Sequence, residues 1–379
     1  MKDRAKSLRR FVSRSSLCAL ALVSLSSVAI AVSIDSEGTT HVAGFDMPFS
    51  DLASSAAQAS FIDWQKRPLA LFNLPPATPI AEMRRLMDEQ YFNPLAAKQR
   101  AAYRVNIEST TIAGIETQVF SPKDGISKEN AHRILINIHG GAFMMGARTE
   151  TQIEAIPLSA TMRIKIVSPD YRMGPEHHFP AASEDIAAVY RELLKSYKSS
   201  EIAIFGCSAG GVITGEAMAW FQRMGLPNPS SIGIFCAHTQ SRMGDSAYTA
   251  PRFGSVTSGI PPIPSKWPPP DSAHFDFPRG LSYFEGANPN DPLVCPSASQ
   301  AVMSKFPPTL LIVGSRDVMA SGASRTQIEL AKAGVDAQLY SWDGMDHNFM
   351  ADPDLPESKE AYQLMSRFFK EHFEKARAR

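Results

Sequence analysis

Short apolar runs alternate along this chain with longer segments whose apolar positions recur at helical spacing. The runs fall at residues 133–138, 164–167, 202–205, 232–235, 310–313 and 337–340, and each is short enough for a buried strand. Residues 105–120 read as two further strands turning near Gly114. Helical spacing predicts helices over 182–194, 209–224 and 324–333. A last apolar stripe, Ala361, Leu364, Met365, Phe368, Phe369 and Phe373, predicts a helix that packs on the sheet. Apolar strands alternating with helices imply an α/β fold with a mostly parallel sheet buried on both faces.

Two stretches depart from this rhythm. Residues 36–100 read as loosely connected helices. One starts at Thr78-Pro79, and Ile80, Met83, Met87 and Tyr91 give it one apolar face. Residues 241–296 carry Pro251, Pro261, Pro262, Pro264, Pro268, Pro269, Pro270, Pro278 and Pro292. So long an interruption in a compact domain is usually functional. It is expected to pass over the carboxyl ends of the strands, with a short helix near Leu281.

Composition narrows the function. The 379 residues are 44% hydrophobic and 20% charged, and 38 Lys+Arg balance 38 Asp+Glu. The zero formal charge argues against a nucleic-acid partner and suits a small, uncharged, partly apolar substrate. Lys2, Arg4, Lys6, Arg9, Arg10 and Arg14 precede an apolar stretch from Leu17 to Val32, and Ala29-Ile30-Ala31 has the small-x-small pattern of a cleavage site. Residues 1–31 are therefore expected to be a signal peptide of an exported, periplasmic or secreted protein, with no stable membrane partner after cleavage. An uncleaved N-terminal anchor is the alternative, although the stretch is shorter than the ~20 residues a spanning helix needs. Cleavage would leave Cys207, Cys236 and Cys295, an odd number without CxxC spacing, with a Cys236–Cys295 disulfide left open.

Candidate chemistry sits at the strand ends. Gly206-Cys207-Ser208-Ala209-Gly210 joins a predicted strand to a predicted helix, the context of a nucleophile elbow. His139-Gly140-Gly141-Ala142-Phe143 ends another strand, where two backbone N–H groups together with that of Ala209 would form an oxyanion hole. Asp317 and His347 follow the last two strands, so the order Ser208, Asp317, His347 is that of a hydrolase triad. Asp343 and Asp346 compete for the role of Asp317 and are read as loop-shaping; His139 is read as a brace. The pair His177-His178 lacks metal-ligand spacing, and no dinucleotide or phosphate-loop fingerprint occurs, so neither metal nor cofactor is expected. Cys207 is expected to pack beneath the elbow.

With these residues in place, the chain resembles the hormone-sensitive lipase family, the bacterial family IV esterases. His139–Phe143 with Gly146 looks like its oxyanion motif. Asp170-Tyr-Arg-Met-Gly-Pro-Glu176 with Phe179-Pro-Ala-Ala182 is similar to its second signature, and Asp291–Pro296 to the segment before the acid strand. The resemblance implies an α/β-hydrolase fold, an eight-stranded mostly parallel sheet with helices on both faces. It divides the mature chain into N-terminal cap helices (32–100) and a catalytic domain (101–379) with a cap insertion at about 241–290. It also implies oxyanion donors at Gly140, Gly141 and Ala209, and short- to medium-chain esters as small-molecule substrates. Met144, Met145, Met345 and Phe349 are candidates for an apolar pocket, together with Trp267, Phe275, Phe277, Tyr283 and Phe284, for about half of which a core role is the alternative. A lactone or aryl-ester specialist would use the same triad, and a non-catalytic relative would lack a member of it. Oligomeric state is left open.

Overall fold

The computed structural model describes residues 33–36, 40–41, 47–66, 78–250 and 282–378. The expected signal peptide and most of the proline-rich excursion, including Leu281, lie outside the described residues. Residues 1–48 form a separate unit in which Ser33–Ile34 pairs antiparallel with Thr40–His41. The larger unit, 49–379, holds the sheet.

Its eight strands are β1 (Val105–Ile112), β2 (Ile115–Pro122), β3 (Ile134–Ile138), β4 (Lys165–Pro169), β5 (Ile202–Cys207), β6 (Ser231–Phe235), β7 (Thr309–Gly314) and β8 (Ala337–Trp342). Their order across the sheet is 8-7-6-5-3-4-2-1. Only the β1–β2 and β2–β4 pairs are antiparallel. At the hairpin Ala113 (φ 53°) and Gly114 (φ 83°) both take left-handed conformations, which match the turn to the strand twist. Strands β3, β5, β6 and β7 are buried throughout, whereas the edge strand β1 is largely exposed.

The helices are α1 (Ser55–Gln65), α2 (Ile80–Met87), α3 (Asn93–Ala102), α4 (Glu150–Met162), α5 (Ala181–Leu193), α6 (Ala209–Arg223), the short α7 (Ser246–Thr249) and α8 (Gln300–Met303), α9 (Ala320–Lys332) and α10 (Pro356–Arg377). Strand alternation sorts the core into two layers. Ile134, Ile136, Ile138, Ile202 and Ile204 face α5 and α6, while Leu135, Ala203 and Phe205 face α4 and α10. Each of these isoleucine, leucine and phenylalanine side chains taken fully from water contributes roughly 1.5–3 kcal/mol. All three described cysteines are free, and Cys236 and Cys295 belong to opposite layers, so the disulfide left open is not formed.

Helix α4 had no counterpart in the sequence pattern. It is buried on nearly every side and contains Pro157, so neither an amphipathic stripe nor a favourable composition marks it. The predicted stripe Ile80, Met83, Met87, Tyr91 also shifts. A wider π turn at Asp88–Phe92 inserts itself between α2 and α3 and rotates the buried face onto Phe92, Leu95, Ala96 and Gln99. Phe92, Leu95 and Ala96 pack with Met145 and Ile153, and with Trp64 of α1. Among the described residues, no helix is long and apolar enough to cross a membrane.

Candidate active site

Ser208 stands between the last residue of β5 and the first of α6, at φ 57° and ψ −125°. A non-glycine residue holds such a backbone only where its surroundings enforce it. They do so through two glycines. A Cβ on Gly210 would lie 1.8 Å from the carbonyl oxygen of Ile138, and one on Gly206 would lie 2.4 Å from the same atom. Strand β3 therefore passes too close to the elbow for any side chain at either position.

His347 reaches the nucleophile from the loop after β8. Its Nε2 is 2.9 Å from Ser208 Oγ, and its Nδ1 is 2.8 Å from Asp317 Oδ1. Asp317 is fully buried and also accepts the Met319 N–H at 2.9 Å. Burial disfavours a charged imidazole, but the Asp317 carboxylate outweighs it and raises His347 above the ordinary histidine range. The competing aspartates face elsewhere. Asp343 accepts from Ser50 and, at 3.0 Å, from Ser315, while Asp346 accepts the backbone N–H of His347. The geometry selects Asp317.

The oxyanion loop corrects one expectation. The Gly140 N–H is turned inward and donates to Glu154 Oε1 at 3.1 Å, so it is not an oxyanion donor. Among the described residues, the amides of Gly141 and Ala142 donate to no other group. Their backbones lie in the left-handed region, at φ 102° and 54°. The loop amides left for an oxyanion are therefore those of Gly141 and Ala142, one residue along from the expected pair. The Ala209 amide opens α6, where the helix offers it no carbonyl partner. His139 braces the loop as expected: its Nδ1 is 2.8 Å from the Gly140 oxygen and its ring stacks on Tyr171 at 4.4 Å. Burial pushes its imidazole down, which keeps it neutral.

The second signature fastens this loop. The Tyr171 hydroxyl donates to the His139 carbonyl at 2.8 Å, and the Gly174 N–H to that of Phe143 at 2.9 Å. Arg84 of α2 donates to the Met144 carbonyl at 2.6 Å and grips Glu176 with both terminal nitrogens, at 2.7 and 2.8 Å. No motif pointed to Arg84 or Glu154, because each acts through a partner distant in sequence; Ala142 lies within the oxyanion motif but was not among the expected donors.

The pocket candidates divide. Met345 and Phe349 line a cavity of about 60 Å³ beside His347, with Phe61 and Trp64 of α1, Tyr91 and Leu95. Met145 is buried in the cluster beneath α3, and Met144 packs against that cluster. Tyr283 and Phe284 are placed in the core behind the oxyanion loop rather than on that cavity. Tyr283 stacks on Phe143 with ring planes 8° apart and accepts the Ala182 N–H at 2.9 Å. Their large apolar area and the phenol's need for a partner account for this depth. Phe275, Trp267 and Phe277 lie outside the described residues.

His177 and His178 are exposed. One group of metal-type donors occurs among the described residues, Cys236, Asp317 and His347, with ligand atoms within 4.8 Å of one another. The His and Asp atoms are engaged with each other, and the Cys236 sulfur accepts the Asn348 N–H at 3.3 Å. The Cys207 thiol donates to Asn348 Oδ1 at 3.4 Å, beneath the elbow as expected.

Fold and site together define a serine hydrolase of the carboxylesterase kind. The family model of the alpha/beta hydrolase fold (Abhydrolase_3) matches residues 135–351, more than half of the chain, and the chain belongs to that family. Two curated relatives are an esterase of Acinetobacter venetianus, 23% identical over 70% of this chain and 82% of its own, and an acetyl-hydrolase of Streptomyces hygroscopicus, 25% identical over 63% and 75%. Among solved structures, the chain is similar to an esterase called E25, with a TM-score of 0.70, 26% identity, and coverage of 88% of this chain and 98% of that one. An esterase from the bacterial hormone-sensitive lipase family shares the fold at a TM-score of 0.68 and 22% identity, covering 85% and 99%. These likenesses agree with the resemblance carried by the motifs.

Proposed function

We propose that this enzyme hydrolyses short- to medium-chain or aryl carboxylic esters through an acyl-Ser208 intermediate. The observation that carries the reading is the continuous line from Asp317 Oδ1 through His347 to Ser208 Oγ, at 2.8 and 2.9 Å. His347 Nε2 takes the serine proton as Oγ attacks the ester carbonyl, and Asp317 holds the proton on Nδ1 and steadies the imidazolium. The developing oxyanion is met by the amides of Gly141, Ala142 and Ala209. His347 then protonates the departing alkoxide, and water repeats the cycle on the acyl-enzyme.

Helices α1–α3 act in this reading as part of a cap over the pocket, because Phe61 and Trp64 of α1, Tyr91, and Leu95 of α3 line it together with His347. The basic front and apolar stretch of residues 1–32 support export of the enzyme with removal of that segment. The test is a panel of esters, lactones and amides assayed with the wild type and with Ser208→Ala, and mass spectrometry of the protein quenched during turnover. Ester turnover with an acyl adduct on Ser208 is expected. Preferential lactone opening would move the assignment to the lactone reading, and turnover by folded Ser208→Ala would overturn the mechanism.

A further inference from the structure

We infer that Glu154 is a positioning residue for catalysis, a buried clamp that fixes the oxyanion loop relative to the nucleophile elbow. The inference rests on the serine esterase reading above and concerns a residue that no motif of the site includes.

Glu154 lies on α4 and is 4% exposed. Its Oε1 accepts the Gly140 N–H at 3.1 Å, and its Oε2 accepts Asn137 Nδ2 at 2.7 Å. Cys207 lies beside this carboxyl, and its backbone favours the charged form. One side chain thus gathers the residue before the oxyanion donors and the residue before Ser208. Asn137 is itself held, since its Oδ1 accepts the Ser168 hydroxyl at 2.9 Å. Beside Glu154 lies Glu150, 3% exposed, whose carboxyl occupies the room left by missing side chains. A Cβ on Gly140 would come within 2.5 Å of Glu150 Oε1, and one on Gly146 within 2.8 Å of Oε2.

Burying an acid is expensive unless its hydrogen bonds are made, and an apolar residue of similar volume would fill the same space more stably. What an apolar residue lacks is the set of acceptors. Fixing the Gly140 amide sets the peptide plane from which Gly141 and Ala142 follow, and catalysis is sensitive to displacements of about 1 Å in such donors. Burial pushes both acids above the ordinary carboxyl range, and the donors around Glu154 pull it back toward its charged form. All three neighbours of Glu154 are donors, so a glutamine amide in its place turns an N–H toward another N–H in either orientation.

The test compares wild type, Glu154→Gln, Asn137→Ala and the double variant Asn137→Asp/Glu154→Gln on a p-nitrophenyl ester. Readouts are kcat, KM, melting temperature and affinity for a boronic acid that mimics the tetrahedral adduct. Glu154→Gln is expected to lower kcat roughly tenfold or more, as lost oxyanion donors do, with KM within about threefold. Boronate affinity should fall in parallel. The double variant returns an acceptor to face the new amide and should recover most of the kcat. Should Glu154→Gln fail to fold, Asn137→Ala, which opens one arm of the clamp, should still lower kcat more than it raises KM. Wild-type kcat in either folded single variant, or a loss that the double variant does not recover, overturns the inference. A wild type without ester turnover would instead overturn the esterase reading itself.

Discussion

Asp317 Oδ1 lies 2.8 Å from His347 Nδ1, whereas Asp343, far nearer to His347 in sequence, is turned toward Ser50 and Ser315. The two carboxylates should therefore respond differently to the same change. Asp317→Asn is expected to lower kcat by about 10⁴, because the amide holds the wrong imidazole tautomer. Asp343→Asn should cost far less, through loosening of the loop. Steady-state kinetics of the two folded variants decide the matter, and a larger loss in Asp343→Asn would reassign the acid.

The same pair sets the pH dependence. Only neutral His347 accepts the serine proton, and the Asp317 carboxylate raises its folded pKa above the ordinary value of about 6.5. Activity should thus rise with pH through a limb centred above about 6.5, and Asp317→Asn should move that limb to lower pH. The sign for stability is opposite. The imidazolium–carboxylate pair stabilises the fold fully below the unfolded pKa, and that contribution is lost as pH rises through the folded one. A kcat/KM profile with its acid limb below 6.5 would contradict the assignment.

Arg84 ties helix α2 to the oxyanion loop through the Met144 carbonyl and to the second signature through Glu176. Arg84→Ala should raise KM several-fold and lower kcat, because it frees both the pocket wall and the loop. Glu176→Gln should act in the same direction but less, since the Met144 bond survives. Kinetics of the two single variants and the double should reveal non-additive losses, and strict additivity would show that the contacts act independently.

Activity should survive exhaustive chelation. His347 and Asp317 bond each other, and the proposed chemistry draws its charge stabilisation from backbone amides. Loss on EDTA treatment, restored by one divalent ion, would turn attention to the donor group of Cys236, Asp317 and His347.

Much of this was legible in the sequence where local pattern and chemistry coincide. The strand runs ending at Ile138, Cys207 and Gly314 are buried on both faces, so they stand out as continuous apolar segments next to the residues that carry the site. Helix α4 was illegible for the mirror-image reason: a helix buried all round, with Pro157 inside, loses its amphipathic signal. The oxyanion donors were displaced by one residue because the direction of the Gly140 amide is set by Glu154, fourteen residues further on, and not by the glycines themselves. Tyr283 and Phe284 read as pocket residues because they are apolar and belong to the proline-rich excursion, but core and pocket share that apolar character and both are buried. The walls supplied by Phe61, Trp64 and Leu95 carry no motif, since any apolar residue of suitable size would serve.

Those walls lead to the prediction on substrate size. The cavity beside His347 measures about 60 Å³, room for roughly four to six water-sized groups. Its lining includes Met345 and Phe349 together with Phe61, Trp64, Tyr91 and Leu95. An acetyl to butyryl chain fits such a space without displacing a wall, while each further methylene must move an aromatic ring that is already packed. For p-nitrophenyl esters, kcat/KM should therefore peak at short acyl chains and fall steeply toward long ones, with no jump as substrate passes its solubility limit. Trp64→Ala should relax the limit. It removes the largest ring of α1 from the wall and should raise turnover of an octanoyl ester relative to butyryl by about tenfold, a difference of roughly 1.4 kcal/mol. The variant leaves Ser208, His347 and Asp317 in place, so butyryl turnover serves as the internal control. A wild-type profile rising toward long chains, activation at an emulsion interface, or an unchanged profile in Trp64→Ala would show that this cavity does not hold the acyl chain.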